Sequence, residues 1–222
     1  AASIPVHEAG IRNMIMDTAG KSFEESRSVN QDLTFDTFSA EMAKRGLESG
    51  PVQMKTLKMV GSDGLYTNLA LLLSDQCPFS IKTAIFQGSD KAIFRDRKEF
   101  EGSVLKQLSE AYRFLDFYNK TKATFVDLDR IDRRDYPEDA VREALLNSII
   151  HRDYLFSGST IINLYDDRME INSLGGLVSG LSMDAIMIGV SQSRNPNLAS
   201  VFYRMKLVES YGTGIQKIRS LY

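Results

Sequence analysis

The chain has 222 residues, 43% of them hydrophobic and 25% charged, which is globular material enough for one large or two small domains and excludes disorder as its default state. Twenty-seven basic residues against 29 acidic ones give a net charge of −2, so the overall positive field that supports non-specific nucleic-acid binding is missing, and only a local basic patch would serve. A single cysteine, Cys77, allows no internal disulfide and, with two histidines, leaves little material for a zinc cage; no apolar run approaches the roughly 20 residues that span a bilayer. The expectation is a cytoplasmic protein without a membrane partner.

The first residues, AASIPVHEAG, have neither the basic nor the apolar region of a secretion signal. There is no initiating Met and the closing KIRSLY continues a helical pattern, so the chain is expected to be a piece of something longer. Between Ile4 and Met16 the residues Ile11, Met14 and Ile15 recur at helical spacing, and Gly20 supplies a stop. SFEESRSVNQD is a polar connection. Asp32 to Gly46 carries Phe35, Phe38 and Met42 on one helical face, and the breaker pair Gly50-Pro51 opens a second short helix to about Val60. The apolar runs Asn68 to Ser74 and Ile81 to Gln87, around Cys77-Pro78, read as strands, and the charged AIFRDRKEF leads into the next unit.

Glu101 to Asn119 sets Val104, Leu108, Ala111, Leu115 and Tyr118 at three- and four-residue spacing, the most regular amphipathic helix of the chain. TFVDLD is a short alternating strand. Pro137 followed by Glu138 and Asp139 opens a helix, since proline suits the first turn and acids meet the positive end of the helix dipole. STIINLYDDRMEINSLGGL reads as a hairpin turning at Asp166-Asp167, whose acids serve the turn rather than a metal. Helices follow at Met183 to Gly189 and Pro196 to Lys206, and YGTGIQKIRSLY opens a last one behind two glycines. The nine methionines are spread through amphipathic segments as core filler.

Within REALLNSIIHRDY, residues 142 to 154, Glu143, Asn147 and His151 stand four apart and share one helical face, opposite Val141, Leu145 and Ile149. That strip either faces water or faces something needing a carboxylate and an amide. An Asn carbonyl oxygen ligates Mg²⁺, which prefers oxygen and brings phosphates with it, and a carboxylate orients water; spacing alone favours the solvated face. The glycine pairs in SLGGL and YGTGI follow secondary structure, where backbone can approach a phosphate, although turns explain either pair alone.

HRDY is no kinase loop, because the Asn required five residues after the Asp is Gly158, and no Gly-rich loop precedes it. His151, Arg152 and Asp153 are expected to end the helix and pair locally. AGKS is no P-loop, since Ile15 holds the place of the first glycine. Arg130, Arg133 and Arg134 are neutralised by Asp127, Asp129, Asp132 and Asp135, so this segment is not a DNA-binding patch.

In order, the helix pair, the hairpin with Gly-Gly and the Gly-x-Gly before a helix make the C-terminal half resemble the Bergerat-fold ATPases, shared by type II topoisomerases, heat-shock chaperones, sensor histidine kinases and mismatch-repair clamps. More closely, YPEDAVREALLNSIIHRDY, DDRMEINSLGGL and SRNPNLASVFYRMKLVESYGTGI resemble the RecG-like ATP-binding domain attached to Schlafen-type transcriptional regulators. The resemblance implies an α/β (α+β) fold, a two-layer sandwich of helices on a mixed sheet, over residues 96–222. It implies for residues 1–95 a smaller helix-rich α/β region, the tail of a Schlafen-type domain with its connector.

By the same resemblance Glu143 is the acid that polarises the attacking water and Asn147 the Mg²⁺ ligand. Gly175 and Gly176 fall in the first glycine box, Gly212 and Gly214 in the phosphate-contacting box, and Arg194 stands where a lid over the nucleotide would let it reach a phosphate; a surface arginine ahead of a helix is the plainer alternative. Asn172 stands where the superfamily has an adenine-recognising Asp, keeping a carbonyl acceptor without charge assistance. The implied function is a regulator's ATP·Mg-binding module, with DNA engaged through flanking regions and a homodimer as partner. An active ATPase using Glu143, or a scaffold that has lost nucleotide, are the alternatives.

Overall fold

The structure is a computed structural model that describes residues 22–178, 180–208 and 214–222. The helix expected between Ile4 and Met16 and the glycine Gly212 lie outside the described residues.

After a 3-10 turn at Phe23–Glu25, helix α1 (Asp36–Ala43) buries Phe38 and Met42, as its apolar spacing predicts. Its first amides are capped from a distance: the Asp75 carboxylate accepts from the N–H of Asp36 at 2.8 Å and of Thr37 at 3.2 Å. Pro51 opens α2 (Pro51–Thr56) behind Gly50. The run from Asn68, expected as a strand, is instead helix α3 (Asn68–Leu73). Periodicity cannot separate a short buried helix from a buried strand; Leu and Ala favour the helix, and Thr67 caps it by accepting from the Ala70 N–H.

Strand β1 (Ile81–Gln87) follows as expected, and the charged segment after it is an edge strand, β2 (Ile93–Phe100). Ser103 caps the long helix α4 (Val104–Tyr118), which buries Val104, Leu105, Ala111 and Leu115. Strands β3 (Thr121–Val126) and β4 (Asp129–Arg134) form a separate two-stranded sheet among the described residues; β4 lies in the stretch the sequence presented simply as a charge cluster. Helix α5 (Glu138–Ile150) begins after Pro137, and the hairpin β5 (Thr160–Leu164) and β6 (Met169–Asn172) turns through Asp166-Asp167. Helices α6 (Met183–Met187), α7 (Pro196–Arg204) and α8 (Gly214–Ser220) complete the described chain.

The main sheet has the order β2-β1-β5-β6, antiparallel except for the β1/β5 pair, so it is mixed. A parallel pair needs a long crossover, and α4, the β3/β4 ribbon and α5 supply it. Ile81 of β1 and Ile162 of β5 are buried in the core formed with the helices, while Lys82 of β1 is exposed, giving a two-layer α/β sandwich. One continuous core joins Phe38 and Met42 of α1, Leu69 and Leu72 of α3, Leu115 of α4, Leu145 of α5 and Phe202 of α7. Position 95/96, where the sequence suggested a division, falls inside β2.

Candidate functional site

The site is built on α5. Its buried stripe of Val141, Leu145, Leu146, Ile149 and Ile150 is pressed into the core, which fixes the rotation of the helix and turns Glu143 and Asn147 away from it, both half-buried. Asn147 donates its amide N–H to Glu143 Oε1 at 3.4 Å, which leaves its carbonyl oxygen as the group a hard cation would take.

Helix α8 closes over this strip. A Cβ added at Gly214 would collide with the Glu143 carboxylate and stand 3.3 Å from Asn147 Nδ2, so the backbone of the second glycine box reaches the pair because that residue has no side chain. Lys217 of α8 lies 3.7 Å from Asp139 of α5, a second tie between the two helices. The fold thus brings together Glu143, Asn147 and Gly214, residues up to 71 positions apart in sequence (143 to 214). A carboxamide oxygen, a carboxylate and a side-chain-free backbone at one spot fit the sparse protein ligation that Mg²⁺ accepts when phosphates supply the rest. Among the described residues, no group of three or more His, Cys, Asp or Glu is placed to hold a metal ion by itself.

The first glycine box lies at the other end of α5. Gly175 has φ of +108° and packs so closely on Asp153 that an added Cβ would stand 2.7 Å from Asp153 Cβ, whereas Gly176 faces open space. Asn172, at the end of β6, is exposed. Arg194 is not extended into solvent: it pairs with Asp153 Oδ2 at 3.2 Å and donates to the Gly176 carbonyl at 2.9 Å. The third member of the polar strip, His151, is half-buried, and burial followed by the neighbouring Arg194 charge holds its imidazole below the usual value.

Within HRDY, Arg152 pairs locally as expected, though from inside the fold, whereas Asp153 finds its partner in Arg194, 41 residues along the chain. Arg152 is 2% exposed, donates to Thr160 Oγ1 at 3.0 Å and to the carbonyls of Phe156 and Gly158, and lies over the rings of Phe79 and Tyr154. The distinct concavity among Phe86, Arg95, Lys120, Tyr136, Tyr165 and Asp166 shares no residue with the Glu143 strip. Two residues of the site region escaped the sequence reading. Asn195 donates to the carbonyls of Ile150 and Arg152, both at 2.8 Å, and buried Glu24 accepts from the N–H groups of Asn197 and Leu198 at 2.6 and 2.8 Å. Asn195 before Pro196 is a readable helix-start signal, while nothing in the sequence links Glu24 to a helix over 170 residues away (24 to 196).

Residues 158–222 match a family model described as "Putative ATP-dependent DNA helicase recG C-terminal". The match supports a RecG-like ATPase-type domain; it takes in Gly175, Gly176, Arg194 and Gly214, and it begins after α5, so Glu143 and Asn147 lie outside it. No curated protein matches the chain. Among solved structures, the crystal structure of the DIP2311 protein from Corynebacterium diphtheriae is similar, with a TM-score of 0.77, 21% sequence identity, and coverage of 98% of this chain and 46% of that one. At that identity the likeness establishes the fold, and this chain spans less than half the length of that protein. Among the described residues no helix is long and apolar enough to cross a membrane.

Proposed function

We propose that the C-terminal unit is an ATP·Mg-binding module whose nucleotide state is passed to attached elements, as the resemblance to Schlafen-type transcriptional regulators suggests. The observation that carries this reading is the meeting of Glu143, Asn147 and the bare backbone of Gly214. In it Asn147 holds the cation through its carbonyl oxygen, Gly214 lies along the phosphates, the resemblance assigns Gly212 to the same phosphate-contacting box, and Gly175 and Gly176 give backbone access on the other side. Asn172 offers its carbonyl to the adenine amino group, a neutral acceptor that makes adenine selectivity weaker than a carboxylate would. Bound Mg²⁺ supplies charge neutralisation to the phosphates. DNA is engaged through regions flanking this unit and the regulator works as a homodimer in the cytoplasm.

Glu143 beside Asn147 also favours a second reading, turnover of the bound nucleotide, because a carboxylate adjoining a phosphate site orients and polarises a water. Calorimetric titration of ATP with and without Mg²⁺, on the parent and on Asn147→Ala, tests the first reading. Binding that depends on Mg²⁺ and weakens about tenfold or more in the variant, roughly 1.4 kcal/mol, is the expected result. A folded parent that binds no nucleotide would identify a scaffold that kept the fold and lost the ligand. Hydrolysis abolished in Glu143→Gln with binding retained would establish the ATPase.

A further inference from the structure

Two segments, HRDY at 151–154 and SRNP at 193–196, enter the nucleotide reading only through the lid position of Arg194, yet the fold sets them against each other on the glycine loop. Asp153, 4% exposed, is the floor of that loop: its main-chain N–H donates to the Leu174 carbonyl at 2.8 Å, and Gly175 rests on its Cβ. Arg194 is the strap. One arm of its guanidinium donates to Asp153 Oδ2 and the other to the Gly176 carbonyl, so a single planar group joins the floor to the loop above it. The ends of the strap are fixed in turn. Asn195 ties it to the carbonyl of Ile150, the last residue of α5, and to that of Arg152 just beyond, and Asp153 Oδ1 accepts from the Leu155 N–H at 3.0 Å, which orients the carboxylate. At its centre the loop has two consecutive glycines, 175 and 176, with φ at Gly175 in the left-handed region, and these two positions bring no side chain that would hold them in place.

We propose that Asp153 and Arg194 are positioning residues for the glycine loop, holding Gly175 and Gly176 in one backbone conformation without touching the ligand. The consequence for affinity rests on the nucleotide-binding reading: a loop held in place loses less freedom on binding than one that must be ordered by the ligand. A direct role for Arg194 on a phosphate is the competing assignment, and the two differ in what Asp153 does. A positioning pair acts as a unit, so losing either member has the same effect. A phosphate-binding arginine is instead released for its ligand when Asp153 is neutralised.

The test uses the whole chain with Arg194→Ala, Arg194→Lys, Asp153→Asn and the Asp153→Asn/Arg194→Ala double variant. Asp153→Asn keeps side-chain volume and the acceptor for Leu155, and Arg194→Lys retains a cation should the alanine variant fail to fold. The first readout is amide hydrogen exchange without nucleotide. The Asp153 N–H, bonded to the Leu174 carbonyl, reports the contact between floor and loop, and its exchange, corrected for intrinsic rate, is expected to quicken about tenfold in Arg194→Ala and Asp153→Asn, no further in the double variant and less in the lysine variant, with β1 unchanged. Unaltered exchange at that amide would overturn the proposal. The second readout is Mg·ATP affinity, expected to fall by a similar factor, about tenfold, in each single variant and not further in the double. Parent-like or tighter binding by Asp153→Asn, with binding lost in Arg194→Ala, would overturn it in favour of phosphate contact. A parent that binds no ATP removes the nucleotide reading alone, because the exchange experiment still decides whether the pair holds the loop.

Discussion

Glu24 shows how a single residue can join distant parts of the chain. Its carboxylate is fully buried and caps the start of α7 through the N–H groups of Asn197 and Leu198, favourable for an anion at the positive end of a helix. Burial outweighs those two bonds and raises its pKa from 4.5 to about 7. A carboxyl raised in the folded state contributes stability that is complete below the unfolded pKa and is lost as pH rises through the folded one. The folded chain should therefore lose on the order of 3 kcal/mol between pH 4.5 and about 7 from this group. Thermal midpoints compared between the parent and Glu24→Gln from pH 5 to 8 read this directly. The difference between the two should shift in favour of the glutamine variant as pH rises, and a constant difference would show that Glu24 is ionised throughout.

At the scale of elements, α5 is held by partners at its C-terminal end as much as by its buried stripe. Helices leave their last carbonyls unpaired, and here Ser173 donates to the Ser148 carbonyl at 2.7 Å while Asn195 serves Ile150 and Arg152. Asn195 is 2% exposed, so its truncation strands two carbonyls away from water. Asn195→Ala should cost about 1–3 kcal/mol for the polar groups left unpaired, seen as a lower midpoint in urea at an unchanged slope. A cost within measurement error would mean that water reaches this corner. The edge strand β2 is managed differently. Charged residues run from Arg95 to Glu99, the register shifts opposite Ile85/Phe86, and the Asp96 carboxylate accepts from the Arg97 N–H at 2.7 Å, features that discourage pairing with another edge. Among the described residues the β3/β4 ribbon has no strand beside it, and it leaves Phe125 and Leu128 exposed, the latter at 98%.

Across the whole molecule, the helices of the first hundred residues and those of the last fifty enclose the same core. Phe38 of α1 and Phe202 of α7 are both fully buried in it, and the Arg45 guanidinium donates to the Met205 carbonyl at 3.0 Å, a bond across 160 residues. Shared burial of this kind makes unfolding of one part expose the other, so a single cooperative transition is expected. Phe38→Ala and Phe202→Ala should each remove about 3–5 kcal/mol and lower that one transition in calorimetry. Two resolved transitions, each answering to one substitution, would show two independent units.

Much of this arrangement was legible in the sequence because it is local. The 3.6-residue spacing of α1, α4, α5 and α7, the period-two hairpin around Asp166-Asp167 and the proline and glycine punctuation depend on neighbours within a turn or a strand, and the chain states them directly. Residue types also named Glu143, Asn147 and the glycine boxes as candidates. What the sequence could not decide is whatever depends on partners far along the chain. The Asn68 run became helix α3 because a short apolar segment takes the form its capping and packing allow, and the charged segment after β1 became a strand because β1 offered it a ladder. The same holds at the site: spacing put Glu143 and Asn147 on one face, but only the packing of α8 placed Gly214 against them. Arg194 turned onto Asp153 and the glycine loop because a half-buried guanidinium beside a buried carboxylate is best satisfied by that carboxylate and the nearest free carbonyl.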